Sequence, residues 1–149
     1  MTLLLSAVLG LLAGLLSGGS LKRIKYYPLR GLALPVAALL IKTLAAYLLP
    51  PQQGAFLVCI LQYSLLFTFV LFNIRQAVWP VFVFLGSLGN FLVILFNGGC
   101  MPVSAGLFGV LTDRLLLLQK GGIYAYCLMD KDTKLSFLGD VIRIGPPGL

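Results

Sequence analysis

The chain has 149 residues, enough for one domain, with 60% hydrophobic and only 10% charged residues. A soluble domain of that size carries about a quarter charged residues, and a mean hydropathy of +1.04 points away from one. The net charge of +7 does not form an aromatic-interleaved basic patch, so the lipid bilayer rather than nucleic acid is the expected partner.

A bilayer core about 30 Å thick needs roughly 20 apolar residues in a helix. Four such windows occur in chain order: about Thr2 to Leu21, Leu29 to Leu49, Ala55 to Phe72 and Val78 to Phe96. Each is expected to be helical, because lipid offers the backbone no hydrogen-bond partners. The first lacks a basic segment ahead of its apolar run and carries its charges after it, which fits a retained helix rather than a cleaved leader. Lys22, Arg23, Lys25 and Arg30 follow it, Arg75 lies between the third and fourth windows, and the Pro50 to Gly54 turn is uncharged. Positive charge on the inner side then threads the chain with both termini outside a cytoplasmic membrane.

Helix one places Ser6, Gly10, Gly14 and Gly18 at every fourth position, a face that a neighbouring helix, a second copy or another protein can approach closely. Helix two carries Lys42 near its middle, and the four windows contain no Asp or Glu to neutralise it. An intramembrane cation marks an interior or watered site, with Asp113 and Asp140 the available counter-charges if the C-terminal part folds back. Pro35, seven residues earlier, is expected to loosen the local ladder and free a carbonyl. Gln62 and Asn73 lie near one face of helix three, and Gly86, Asn90 and Asn97 share a face of helix four that should look inward, either as interhelical glue or as the lining of a polar cavity.

After Phe96 comes Asn97-Gly98-Gly99-Cys100-Met101-Pro102-Val103-Ser104. Two glycines permit a sharp turn, and Pro102 suits the first turn of a following helix, whose free amides would face the mouth of the bundle and suit an anion. Val103 to Gln119 is short for a span and contains Asp113 and Arg114, so an interfacial or re-entrant helix is expected, with a fifth span as the alternative. Tyr124, Tyr126 and Leu128, then Asp130-Lys131-Asp132-Thr133, then Leu135 and Phe137 read as two short strands around a turn, a hairpin-like tail. Gly145-Pro146-Pro147-Gly148 then ends regular structure.

With no histidine, His-based metal sites and Ser-His or Cys-His pairs are excluded, and the three cysteines lack CxxC spacing. Cys59 reads as packing, while Cys100 and Cys127 can pair only in an oxidising compartment. A base-assisted Ser104 with Lys42 has no spacing rule behind it. Asp130 to Thr133 lacks the further ligands of a calcium loop. Asp140, flanked by apolar residues, would have a raised pKa if buried without a cation.

Asn97-Gly98-Gly99 with Met101-Pro102-Val103-Ser104, and Thr133 through Ile142 (TKLSFLGDVI), together resemble a family of small bacterial integral membrane proteins known only as a domain of unknown function. The resemblance extends to the opening helix and its Leu21-Lys22-Arg23-Ile24 exit. It implies a bacterial cytoplasmic membrane and a single compact unit, and brings no activity or catalytic residue.

The expected fold is therefore an all-α membrane protein: a four-helix transmembrane bundle over residues 1–97 and a C-terminal membrane-surface segment over 98–149. The expected function is a non-catalytic subunit or scaffold of a membrane complex, meeting another membrane protein or a second copy through helix one. The alternative is a small-solute or anion binder or transporter with Lys42 as floor, NGGCMPVS as rim, and Asn90, Asn97, Gly98, Gly99 and Asp140 around it. A membrane enzyme is third, since no His and no acid pair is present. No cofactor or metal is expected.

Overall fold

The computed structural model describes residues 2–20, 29–76, 78–107 and 113–141, and it divides into two compact units, Met1–Arg30 and Gly31–Leu149. The Leu21 to Ile24 exit, Lys25, the stretch 108–112, and the tail with Ile142, Arg143 and Gly145 to Gly148 lie outside the described residues.

In the first unit α1 spans Thr2–Leu16 and stops short of the expected Leu21. The cause is Ser17-Gly18-Gly19. Gly18 turns left-handed at φ 80°, its amide donates to the Leu15 carbonyl at 3.1 Å, and the Gly19 amide donates to the Gly14 carbonyl at 2.9 Å. That pair of bonds satisfies carbonyls a helix end otherwise leaves bare. Gly18 is thus the residue that ends the helix, while Ser6, Gly10 and Gly14 lie within it. A side chain at Gly10 or Gly14 would meet no heavy atom of this unit within 4 Å.

The second unit begins with α2 (Ala33–Leu48), α3 (Ala55–Asn73) and α4 (Trp79–Phe96). By length and composition α3 and α4, 19 and 18 residues, can cross a membrane, whereas α2 is a shorter apolar helix of 16. Only 28% and 17% of their most apolar stretches are buried, unlike the core helix of a soluble protein. Because α2 starts at Ala33, Pro35 sits in its first turn, where the missing N–H has no intrahelical partner to lose. The expected weakening of the ladder near Lys42 therefore does not arise.

Small side chains let α2 and α3 approach closely: Ala38, Ala45 and Ala55 are all buried. Helices α3 and α4 meet through Cys59, Tyr63, Val93 and Ile94, with Phe67 and Phe91 closing around them. The Tyr63 and Phe91 rings lie 5.4 Å apart, and Phe67 meets Phe91 edge-on at 5.6 Å. These tilted and edge-on geometries avoid the face-to-face stacking that ring quadrupoles disfavour.

The remainder departs from a hairpin. Strand β1 (Met101–Val103) pairs in parallel with β2 (Tyr126–Leu128), Met101 opposite Tyr126 and Val103 opposite Leu128. On its other edge β1 bridges Asp140, whose amide donates to the Pro102 carbonyl at 2.9 Å and whose carbonyl accepts from the Ser104 amide at 3.0 Å. Pro102 is therefore in a strand, not at a helix start. In a parallel ladder alternate residues bond to one neighbour, so Met101 and Val103 serve β2 and the missing N–H of Pro102 breaks no bond to it.

The Asp130 to Thr133 turn closes on itself: the Asp130 amide donates to Thr133 Oγ1 at 2.8 Å, which in turn donates to Asp130 Oδ1 at 2.9 Å. Ser136–Leu138 beyond it is a 3₁₀ turn, so nothing there can pair with β2. Period-two alternation identified β2 but not its partner, which lies 25 residues upstream in register. Such a parallel pair requires a long crossover. That crossover carries a 3₁₀ turn at Ala105–Leu107 and α5, described over Asp113–Gln119. With Val103 in a strand and Ala105 in a 3₁₀ turn, the expected interfacial or re-entrant helix does not take in the whole of Val103 to Gln119, and its described helical part is Asp113–Gln119.

Candidate functional site

The α2–α3 loop, the start of α3 and the end of α4 are joined by the segment from Asn97 to Asp140, which folds back as a cap. Its first element is the α4 exit. Gly98 and Gly99 are both left-handed, at φ 70° and 94°, and the Gly99 amide donates to the Ile94 carbonyl at 2.9 Å. A Cβ on Gly99 would lie 2.5 Å from the Phe56 amide nitrogen, so the exit rests directly on the first turn of α3. The same device closes α5: Gly121 is left-handed and the Gly122 amide donates to the Leu117 carbonyl at 2.7 Å. Ser17-Gly18-Gly19, Asn97-Gly98-Gly99 and Lys120-Gly121-Gly122 are thus three copies of one helix-ending motif.

Asn97 holds the cap in place. Its Nδ2 donates to the Val93 carbonyl at 2.7 Å and to the Lys134 carbonyl at 2.8 Å, while its Oδ1 accepts from the Lys134 amide at 3.0 Å. The α2–α3 loop adds two further ties. Gln52 Nε2 donates to the Tyr126 carbonyl at 2.8 Å, and the Tyr124 hydroxyl donates to the Gln53 carbonyl at 3.4 Å. Tyr124 itself is buried against Ala45 and Ala55.

Lys42 reaches this cap. It is half-buried, and its Nζ lies 5.8 Å from the centre of the Tyr126 ring. A cation over an aromatic face gains about 0.5 to 2 kcal/mol depending on desolvation. The group over Lys42 is therefore a ring rather than the expected carboxylate of Asp113 or Asp140. Lys42, Cys59, Gln62, Gly99 and Tyr124 border a gap of about 10 Å³, about the room for a single water.

Two larger cavities lie within the cap. One of about 540 Å³ is lined by Gln52, Gly98, Cys100, Tyr126 and Cys127 among others. The other, about 520 Å³, places Arg114 and Asp140 on walls that also include Val103, Leu117, Ile123 and Tyr126. The structure thus brings Lys42 and Gly99 to one gap, sets Gly98 and Asp140 on two different cavities, and uses Asn97 as a clasp. Asn90 is exposed on α4, as is Gly86, so among the described residues of the second unit nothing covers the face expected to look inward.

Tyr126 is the residue that sequence reasoning passed over. It faces Lys42, accepts from Gln52 and borders both larger cavities. The available signal was an aromatic at the start of a strand-like alternation, which does not say what the ring meets. Burial raises its hydroxyl pKa, with the Asp140 carboxylate adding to the effect, and burial raises that of Tyr124. Both are therefore neutral hydroxyls at physiological pH, available to donate hydrogen bonds but not to act as bases. Burial, then the bond to Cys100, pushes the Cys127 thiol up to about 12. No cluster of three or more His, Cys, Asp or Glu side chains forms a metal-ligand set among the described residues.

Comparison with curated proteins and with solved structures gives no match. A family model does match, over residues 26–149, taking in the NGGCMPVS and TKLSFLGDVI stretches and leaving out the opening helix. That span includes the whole of the capped second unit, from Gly31 onward. The chain therefore belongs to DUF5317, a family of unknown function.

Proposed function

We propose that the protein is a four-span membrane protein of the bacterial cytoplasmic membrane, with both termini and the cap outside, acting as a non-catalytic subunit of a membrane complex. The observation that carries this reading is the open face of α4: Asn90 is exposed well inside an apolar helix, and one turn earlier a side chain at Gly86 would meet no heavy atom within 4 Å. An amide facing hydrocarbon is costly, whereas a small residue beside it lets another backbone come close enough to satisfy it. The open Gly10 and Gly14 positions on α1 offer a second such face for a membrane partner or a second copy. The expected result is a stoichiometric partner, or a second copy, that co-purifies with the full chain and is lost on both Gly86→Leu and Asn90→Leu. A monomer that is the same in all three preparations would sink the reading.

A second reading, small-anion binding, draws support from Lys42, whose Nζ faces a ring rather than a carboxylate. An anion entering between Lys42 and Tyr126 would then raise the thermal midpoint of the purified protein, with inorganic phosphate and acetate as probes. That rise should vanish in Lys42→Met. No rise with either anion, or an equal rise in the variant, counts against it.

A further inference from the structure

Cys100 and Cys127 come from separate parts of the cap, one just after α4 and the other in β2, yet they line one cavity. The parallel register sets Pro102 opposite Cys127, which brings the turn residue Cys100 alongside. Cys100 Sγ donates to the Asn97 carbonyl at 3.0 Å. Both cysteines are partly exposed and line the same cavity of about 540 Å³. Cys59, by contrast, is buried between α3 and α4 in a separate cluster. Two thiols on one cavity wall, carried by neighbouring stretches of a paired β1 and β2, are placed for side-chain rotation to bring them to the roughly 2.05 Å of a disulfide.

The surroundings suggest what such a bond would do. Strands of three residues are marginal on their own, and the cap is otherwise held by the Asn97 clasp and the two ties from Gln52 and Tyr124. We propose that Cys100 and Cys127 are a paired modification site, closing to a disulfide that staples the exit of α4 to β2 and locks the cap on the helix ends. This rests on the proposed orientation, which puts the cap in the oxidising extracytoplasmic space.

The chemistry is thiol–disulfide exchange with an external disulfide, such as that of a thiol oxidoreductase. The Cys100 thiolate attacks one sulfur of the external disulfide and releases one thiol. The Cys127 thiolate then attacks the Cys100 sulfur and releases the second. Two protein thiols are oxidised, one external disulfide is reduced to two thiols, and the two protein protons end on those thiols.

The first test uses the reduced full-length protein in detergent with an aromatic disulfide, dithiodipyridine. The expected result is about two equivalents of released thiopyridone, an intact mass about 2 Da lower, and a peptide joining Cys100 to Cys127. The closed form should melt about 10 °C higher than the reduced form, as expected for a closed loop of about 28 residues, and neither Cys100→Ser nor Cys127→Ser should show that shift. Stable mixed disulfides on both residues, or thiols that react only after unfolding, would overturn the pairing.

The second test traps thiols by alkylation in intact cells before lysis, where the peptide is expected already joined. In parallel, Cys127 of a Cys59→Ala, Cys100→Ser protein is labelled from each side with a membrane-impermeant maleimide. Labelling from outside with an unjoined wild-type pair overturns the staple itself. Labelling only from inside overturns the orientation and with it the staple in cells, a failure distinct from that of the sulfur geometry.

Discussion

Gly99→Ala should yield almost no folded protein, while its neighbour Gly98→Ala should lose little. Both glycines are left-handed, and an L side chain there costs about 1 to 2 kcal/mol. What separates them is space. At Gly98 a Cβ meets nothing within 4 Å, whereas at Gly99 it falls 2.5 Å from the Phe56 amide nitrogen, 2.7 Å from Phe56 Cα and 3.0 Å from the Ala55 carbonyl carbon. Those atoms are helix backbone and cannot swing aside as a side-chain tip would. Relief requires lifting the α4 exit off α3, which separates the cap from the helix ends and uncovers Ala55 and Tyr124. Overpacking against a rigid wall costs about 1 to 3 kcal/mol or more beyond the conformational term, a large part of a typical stability of about 5 to 15 kcal/mol. Monodisperse yield and thermal midpoint in detergent should therefore fall sharply for Gly99→Ala and shift by only a few degrees for Gly98→Ala. Equal behaviour of the two would contradict the contact between the exit and α3.

Asn97→Asp should release the stretch around Lys134 without unfolding the helices. The amide nitrogen of Asn97 faces two carbonyl oxygens, those of Val93 and Lys134 at 2.7 and 2.8 Å. A carboxylate oxygen in that place has nothing to donate and repels both. The bond from the Lys134 amide to Oδ1 survives, so the loss is specific to the donor side. Two missing hydrogen bonds in a partly buried site amount to about 2 to 3 kcal/mol. Local opening at the cap becomes easier by the same amount, which raises cleavage by trypsin after Lys131 and Lys134 by roughly 30-fold or more when opening equilibrates before cutting. Asn97→Ala removes the donor without adding repulsion and should fall between wild type and Asn97→Asp. Unchanged nicking in both variants would show that the clasp does not hold this segment.

Much of the helical part was legible from hydropathy alone. α3 and α4 lie within about a residue of their expected windows, because an apolar run bounded by Pro-Gly or by charge has few other uses in lipid. The twin glycines after Asn97 were legible as a sharp exit, whereas the same motif at Ser17 and Lys120, and with it the stop of α1 at Leu16 rather than Leu21, was not expected. Pro35 was misread because its effect depends on where the helix begins, and Gly31, not hydropathy, sets that start: its carbonyl accepts from the Leu34 amide at 2.9 Å.

The candidate site was legible only in its parts. Lys42 stood out because an unneutralised cation in an apolar helix demands an explanation, yet its contact with Tyr126 joins residues 84 positions apart. Asn97 drew notice as a polar residue on a helical face, but its role depends on Lys134 arriving opposite it. Asn90 shares that face by periodicity and is exposed all the same, because α4 turns the residues Val93 and Ile94 toward α3.

By itself, then, the sequence determined that the chain is mostly helical and where its two long apolar helices, α3 and α4, run, since these depend on local composition and on the Pro, Gly and charged residues that bound the apolar runs. Strand partners, the fold-back of the cap, the ring over Lys42 and the placing of Cys100 and Cys127 on one cavity were decided by the tertiary structure. Each joins segments far apart in the chain. Period-two alternation or a lone charge states that a partner is needed, and only the packed chain specifies which group supplies it.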